Sequence, residues 1–116
     1  MEPEYTIKVF DLMQTSTPSG RTSEDGSPAG DTIRNLVLEH WDRCEKIVIL
    51  FDGIAKMTRP FIDEAFAKIL ETKTLDDFNA KLYFPDASDK IVKDMNEAVK
   101  LRLKIIRSQR EKMDSL

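Results

Sequence analysis

The sequence contains one cysteine, one histidine, one tryptophan and four glycines. A lone cysteine, Cys44, excludes an internal disulfide framework and fits a reducing compartment, so the cytoplasm is the expected location. Two nitrogen or sulfur ligands, His40 and Cys44, cannot complete a tetrahedral zinc cage without several carboxylates. No apolar run approaches the roughly 18 residues that span a bilayer. The acidic start MEPEYTIK has no apolar signal core, so secretion by that route is not expected. Gly-rich phosphate loops of Walker or dinucleotide type are missing. Neither a cofactor nor a membrane partner is expected.

What is present is an ordinary globular composition, 41% hydrophobic and 34% charged over 116 residues. One domain of this length buries roughly two-thirds of its unfolded surface. The net charge of −3 argues against a dedicated nucleic-acid binder. It conceals an asymmetry, because residues 1–99 carry 12 basic and 19 acidic side chains and residues 100–116 carry six and two. A basic tail on an acidic body marks a contact with acidic partners.

Periodicity places the elements. Tyr5–Phe10 alternates and is rich in β-branched and aromatic residues, which reads as a strand. Residues 14–30 are dense in Ser, Thr, Pro and Gly, so a mobile loop is expected there, with a short edge strand near one end. Asp31 suits an N-cap, and Ile33, Leu36, Val37, His40 and Trp41 follow the spacing of one helix face. Lys46–Phe51 reads as a strand buried on both faces, and Gly53 as its turn. Pro60 suits a first helical position. Ile62, Ala65, Phe66, Ile69 and Leu70 continue that helix, with Asp63 and Glu64 near the positive end of its dipole. Leu75–Phe78 reads as an irregular connection with a helical turn, Ala80–Phe84 as a short strand, and residues 88–112 as a long helix capped by Asp86 or Ser88. Its main stripe is Val92, Met95, Val99, Leu103 and Ile106, with an apolar sector wide enough to suggest a homodimer. Alternating strands and helices imply parallel pairs joined by crossovers.

The residues that could carry chemistry each have a plainer role. His40 and Cys44 would be i, i+4 neighbours on a helix, yet a half-packed histidine and a space-filling cysteine explain them equally. Asp52, just after a buried strand, could accept phosphate or hold Mg²⁺ as in receiver-type domains. The commoner role for Asp beside Gly is an Asx turn. The acidic partner set is also thin, with Asp11 alone after the first strand. Thr58 and Arg59 could meet an anion or a partner carboxylate, or could simply cap a helix and face solvent. The basic run Lys100, Arg102, Lys104, Arg107, Arg110 and Lys112 complements a helix C-terminus. Beyond that it is a solvated face or a nucleic-acid contact.

The segments DTIRNLVLEHWDRCEKIVILFDGI and TRPFIDEAFAKIL resemble STAS-like domains of a family of unknown function related to anti-anti-sigma factors. Phe61, Asp63, Glu64, Ala65 and Phe66 occupy that family's later motif positions. The resemblance implies a single α/β domain over residues 1–116, with a roughly four-stranded mixed sheet and helices mainly on one face. It also implies a non-enzymatic regulator that docks another protein, of anti-sigma or kinase-like ATPase type, in bacterial or phage regulation. The docking surface would be the loop and helix start from Asp52 to Asp63, using Asp52, Lys56, Thr58, Arg59 and Asp63. In anti-anti-sigma factors this loop carries a phosphorylatable serine. Pro60 stands at the corresponding position, which leaves Thr58 as the phospho-acceptor. The alternatives are a receiver-like phosphoprotein using Asp52, or nucleic-acid contact through the basic last helix.

Overall fold

The computed structural model describes residues 2–114. Strand β1 (Glu2–Lys8) leads into a short helix α1 (Val9–Met13), so Val9 and Phe10 belong to a helix, not to the expected strand. Helix α2 (Gly30–His40), strand β2 (Cys44–Leu50) and helix α3 (Arg59–Ala65) follow. A 3-10 turn (Ala67–Glu71), helix α4 (Leu75–Lys81), the two-residue strand β3 (Leu82–Tyr83) and helix α5 (Asp89–Asp114) complete the chain. The helical turn expected within the Leu75–Phe78 connection is a full helix that runs on to Lys81. Thr74 starts that helix by accepting from Asp77 N–H at 3.0 Å, the usual work of a Thr N-cap.

The sheet has three strands in the order β1-β2-β3, all parallel. This corrects the expected four-stranded mixed sheet. Residues 14–29, where a further strand would have lain, form only an isolated antiparallel bridge between Glu24 and Ser27. Side chains alternate across the pleat. Ile7, Ile47, Ile49 and Leu82 turn into one core with Ile33 and Val37 of α2, Phe61 and Ile62 of α3, and Met95 and Ala98 of α5. On the other face Thr6, Lys8 and Tyr83 are exposed, with Val48 and Leu50 half-buried. Strand β2 is thus buried on one face, not both, because the helices' buried residues all join the same core.

At the helix ends one expectation changes and one alternative is decided. The N-cap position of α2 is Ala29, whose N–H donates to the Thr32 hydroxyl at 3.0 Å, and Asp31 lies inside the first turn. Helix α5 is started by Ser88, whose hydroxyl accepts from Ile91 N–H at 3.2 Å. Gly30 sits where α2 crosses α3. A Cβ there would lie 2.9 Å from the Glu64 Cβ and 3.1 Å from the Phe61 carbonyl oxygen, so only glycine permits this approach.

Candidate functional site

The exposed loop after β2 is built on a backbone whose donors are already committed. Ile54 N–H closes a turn on the Phe51 carbonyl at 2.9 Å, and Gly53 has φ +89, a conformation that L side chains disfavour. A Cβ on Gly53 would also press on the Phe10 ring at 3.0 Å. The carboxylate that serves this turn is not that of Asp52, as an Asx turn would require. Asp86, arriving just after β3, accepts from Phe51 N–H at 2.9 Å and from Asp52 N–H at 3.1 Å. Sequence reading offered Asp86 only as a helix cap, because the two segments are remote along the chain.

The Ser/Thr/Pro-rich segment supplies the other brace. Ser16 carbonyl accepts from Ala55 N–H (2.7 Å) and Lys56 N–H (3.1 Å), and Pro18 carbonyl accepts from Thr58 N–H (3.2 Å). Farther on, Gly20 and Arg21 carbonyls accept from Gly30 and Asp31 N–H at 3.0 and 2.9 Å. Pro18 is buried. The segment therefore lies along residues 55–58 and returns to the start of α2.

Of the expected site residues, Asp52 and Lys56 are exposed on this loop. Thr58 is half-buried and is the N-cap of α3. Its hydroxyl accepts from Phe61 N–H at 3.3 Å and donates to the Ser19 carbonyl at 2.9 Å. Arg59 is the first helical residue, with Pro60 second, and pairs with Glu97 of α5 at 2.6 Å, both side chains 45% exposed. Asp63 departs from expectation. It is only 8% exposed and turned inward, and Glu64 is 3% exposed. They stand in the last turn of a seven-residue helix, where the dipole disfavours anions. What holds them is a ring of cations.

Asp63 receives a two-pronged contact from Arg102 of α5, Nε at 2.9 Å and Nη2 at 2.5 Å, and a third bond from Arg21 at 2.7 Å. Glu64 is paired with Arg34 of α2, with Lys68 at 3.0 Å and more loosely with Arg21 at 3.4 Å. Arg34 also donates to the Glu64 carbonyl at 2.7 Å. Burial by itself would raise both carboxyl pKa values. The hydrogen bonds from Arg102 and Arg21 to Asp63, and from Arg34 and Lys68 to Glu64, outweigh it and lower both. The same bonds raise the Arg102 and Arg21 pKa values, chiefly through Asp63. This cluster joins the 14–29 segment, α2, α3, the 3-10 turn and α5. Its only signal in the sequence was an Asp-Glu pair in an otherwise apolar stretch, since the cations lie up to 43 residues away.

His40 and Cys44 do not form a pair. The His40 ring stacks on Tyr5 at 3.6 Å with Nδ1 3.0 Å from the Leu36 carbonyl, and Cys44 is buried at the start of β2. Among the described residues no three His, Cys, Asp or Glu side chains gather as a metal site, and no helix is long and apolar enough to cross a membrane. The arrangement offers a braced polar loop and a pair of buried carboxylates compensated by four cations.

A family profile described as a STAS-like domain of unknown function matches residues 29–92, more than half of the chain. No curated protein and no solved structure matches it.

Proposed function

Because the chain belongs to the STAS-like domain family of unknown function, we propose that it is a non-enzymatic regulatory domain that docks a partner protein. The partner surface is the loop from Asp52 to Arg59, with Lys56 and Arg59 as its charged contacts. The partner class is a regulator of anti-sigma or kinase-like ATPase type. The observation that carries this reading is the bracing of the loop. The N–H groups of residues 51, 52, 55, 56 and 58 are all hydrogen-bonded inward, to Asp86, Ser16 and Pro18. Meanwhile the side chains of Asp52, Lys56 and Arg59 face solvent. A loop fixed before binding loses little conformational entropy when a partner arrives.

Thr58 is the control point in this proposal. Its hydroxyl donates to the Ser19 carbonyl, and a phosphate on that oxygen removes the donor and loosens the 14–29 segment from the helix start. Asp63 is withdrawn from the partner surface, since its carboxylate is occupied by Arg102 and Arg21.

The test is quantitative capture from the native host with the parent, Arg59→Glu and Thr58→Glu chains as baits. A specific protein retained by the parent and depleted with both variants is the expected result, with a nearly unchanged melting temperature for Arg59→Glu and a lowered one for Thr58→Glu, which loses the helix cap and the bond to Ser19. A partner held equally by all three baits overturns the assignment of this loop.

A further inference from the structure

The long helix α5 carries an apolar stripe that its own fold covers only in part: Val99, Leu103 and Ile106 pack partly against the core, while Val92 and Met113 stand out from it. Val92, Asn96, Val99, Leu103, Ile106, Arg110 and Met113 recur in alternating steps of four and three residues, the heptad seam of a coiled coil. Ala98 and Arg102 are turned toward the body, and Met95, buried beside them, borders the stripe. Along the seam Val92 is 45% exposed and Met113 73% exposed, with Val99, Leu103 and Ile106 half-buried. Its first half forms one wall of a groove of about 370 Å³, whose opposite wall is Leu75 and Phe78 of α4 with Phe84. The groove and the seam are continuous, and α5 is 26 residues long, about 39 Å at the α-helical rise.

Charge selects the occupant. Flanking the seam in the heptad e position are Lys93, Lys100 and Arg107, with Lys104 beside them. None of these four forms an ion pair among the described residues. Antiparallel pairing of two copies would set this cationic row against itself. Parallel pairing would set it against Met95, Arg102 and Gln109, with no acid to meet it. We propose that the α4–α5 groove and the seam beyond it receive an amphipathic helix of another protein whose apolar a and d positions are flanked by Asp or Glu. The seam holds two polar residues, Asn96 and Arg110, and Asn96, which also lines the groove, fixes the register by requiring a polar partner there. This surface is separate from the Asp52–Arg59 loop and does not depend on its role.

The test uses the full chain and two fluorescent synthetic peptides of about three heptads, with Leu at a and d and Gln and Ala outside. One has Glu at e and g, the other Lys. Fluorescence anisotropy is expected to show the Glu peptide binding at least about tenfold more tightly than the Lys peptide, with the preference shrinking in about 0.5 M salt. The Lys100→Glu, Arg107→Glu double variant, which changes exposed residues only, should reverse the preference, and Val99→Glu should abolish binding. Arg59→Glu should leave peptide affinity unchanged. Equal binding of both peptides, binding of neither, a self-associated dimer that excludes the peptide, or displacement of the peptide by duplex DNA overturns the proposal.

Discussion

Asp63 with Arg102, and Arg59 with Glu97, are two ion pairs joining the same helices, α3 and α5, within one turn of each other on α3. The first is almost entirely buried and bound at two points. The second is 45% exposed on both sides. Identical chemistry has opposite consequences at the two places. Water screens the outer pair, which leaves it close to neutral for stability and available for exchange with a partner's charges. The inner pair has given up its hydration, so each member depends on the other for its electrostatic compensation. A fold can thus keep a solvent-screened charge pair and a buried one side by side, separated only by exposure.

The largest expected effect comes from breaking the inner pair. Asp63→Ala leaves Arg102 buried without its main partner and should cost about 3–5 kcal/mol in urea unfolding. Replacing both by apolar residues, as in Asp63→Leu with Arg102→Met, should recover much of that loss. Failure to recover would mean that Arg21, which also contacts Asp63, carries the compensation.

Next in size is Gly30→Val, which forces α2 away from α3 just above Glu64. The contacts of 2.9 and 3.1 Å met by the added carbon predict a loss of about 1–3 kcal/mol by overpacking. A melting temperature equal to the parent's would show that the helices separate without cost.

Acid sharpens the contrast further. The folded pKa values of Asp63 and Glu64 lie below their ordinary values, so the native state binds fewer protons than the unfolded chain in the acid range. The stability they contribute is complete above the unfolded carboxyl pKa of about 4. It declines as pH falls through that value toward the lower folded ones. Urea midpoints measured from neutral pH downward should fall less steeply for Asp63→Asn than for the parent. Parallel curves would remove Asp63 from the acid response.

The smallest effect belongs to the outer pair. A double-mutant cycle on Arg59 and Glu97 should give a coupling below about 1 kcal/mol, reduced further by salt because both groups are well exposed. A larger or salt-insensitive coupling would make the two pairs alike and erase the distinction.

Much of this was legible along the chain. Strand β2, the Gly53 turn, the Thr58–Pro60 helix start and the stripe of α2 follow from local periodicity and capping chemistry. Those signals act over a few residues and survive in the fold. The α5 stripe was legible too, although only the fold shows that Met95 and Ala98 are buried in the core while Val92 and Met113 stay exposed. The sheet's third edge was less accessible. Leu75–Lys81 carries mixed local signals: the Thr74 cap marks where its helix starts, and its full extent goes with Phe78 packing against Phe84, ring centres 6.3 Å apart. The role of the Ser/Thr/Pro-rich segment was hidden because its anchors are backbone carbonyls, which no side-chain pattern reports.

The sequence by itself determined that this is a small α/β domain with a polar loop between a buried strand and a Pro-started helix, since burial and capping are local. It could not decide which charges face water. Asp63 and Glu64 are ordinary surface residues by type, and Arg21, Arg34, Lys68 and Arg102 are too. Only the tertiary structure brings them together, because the free energy of a buried charge depends on partners distant in sequence. That assembly places Asp63, expected on the exposed loop face, in the interior and leaves Asp52, Lys56 and Arg59 outside.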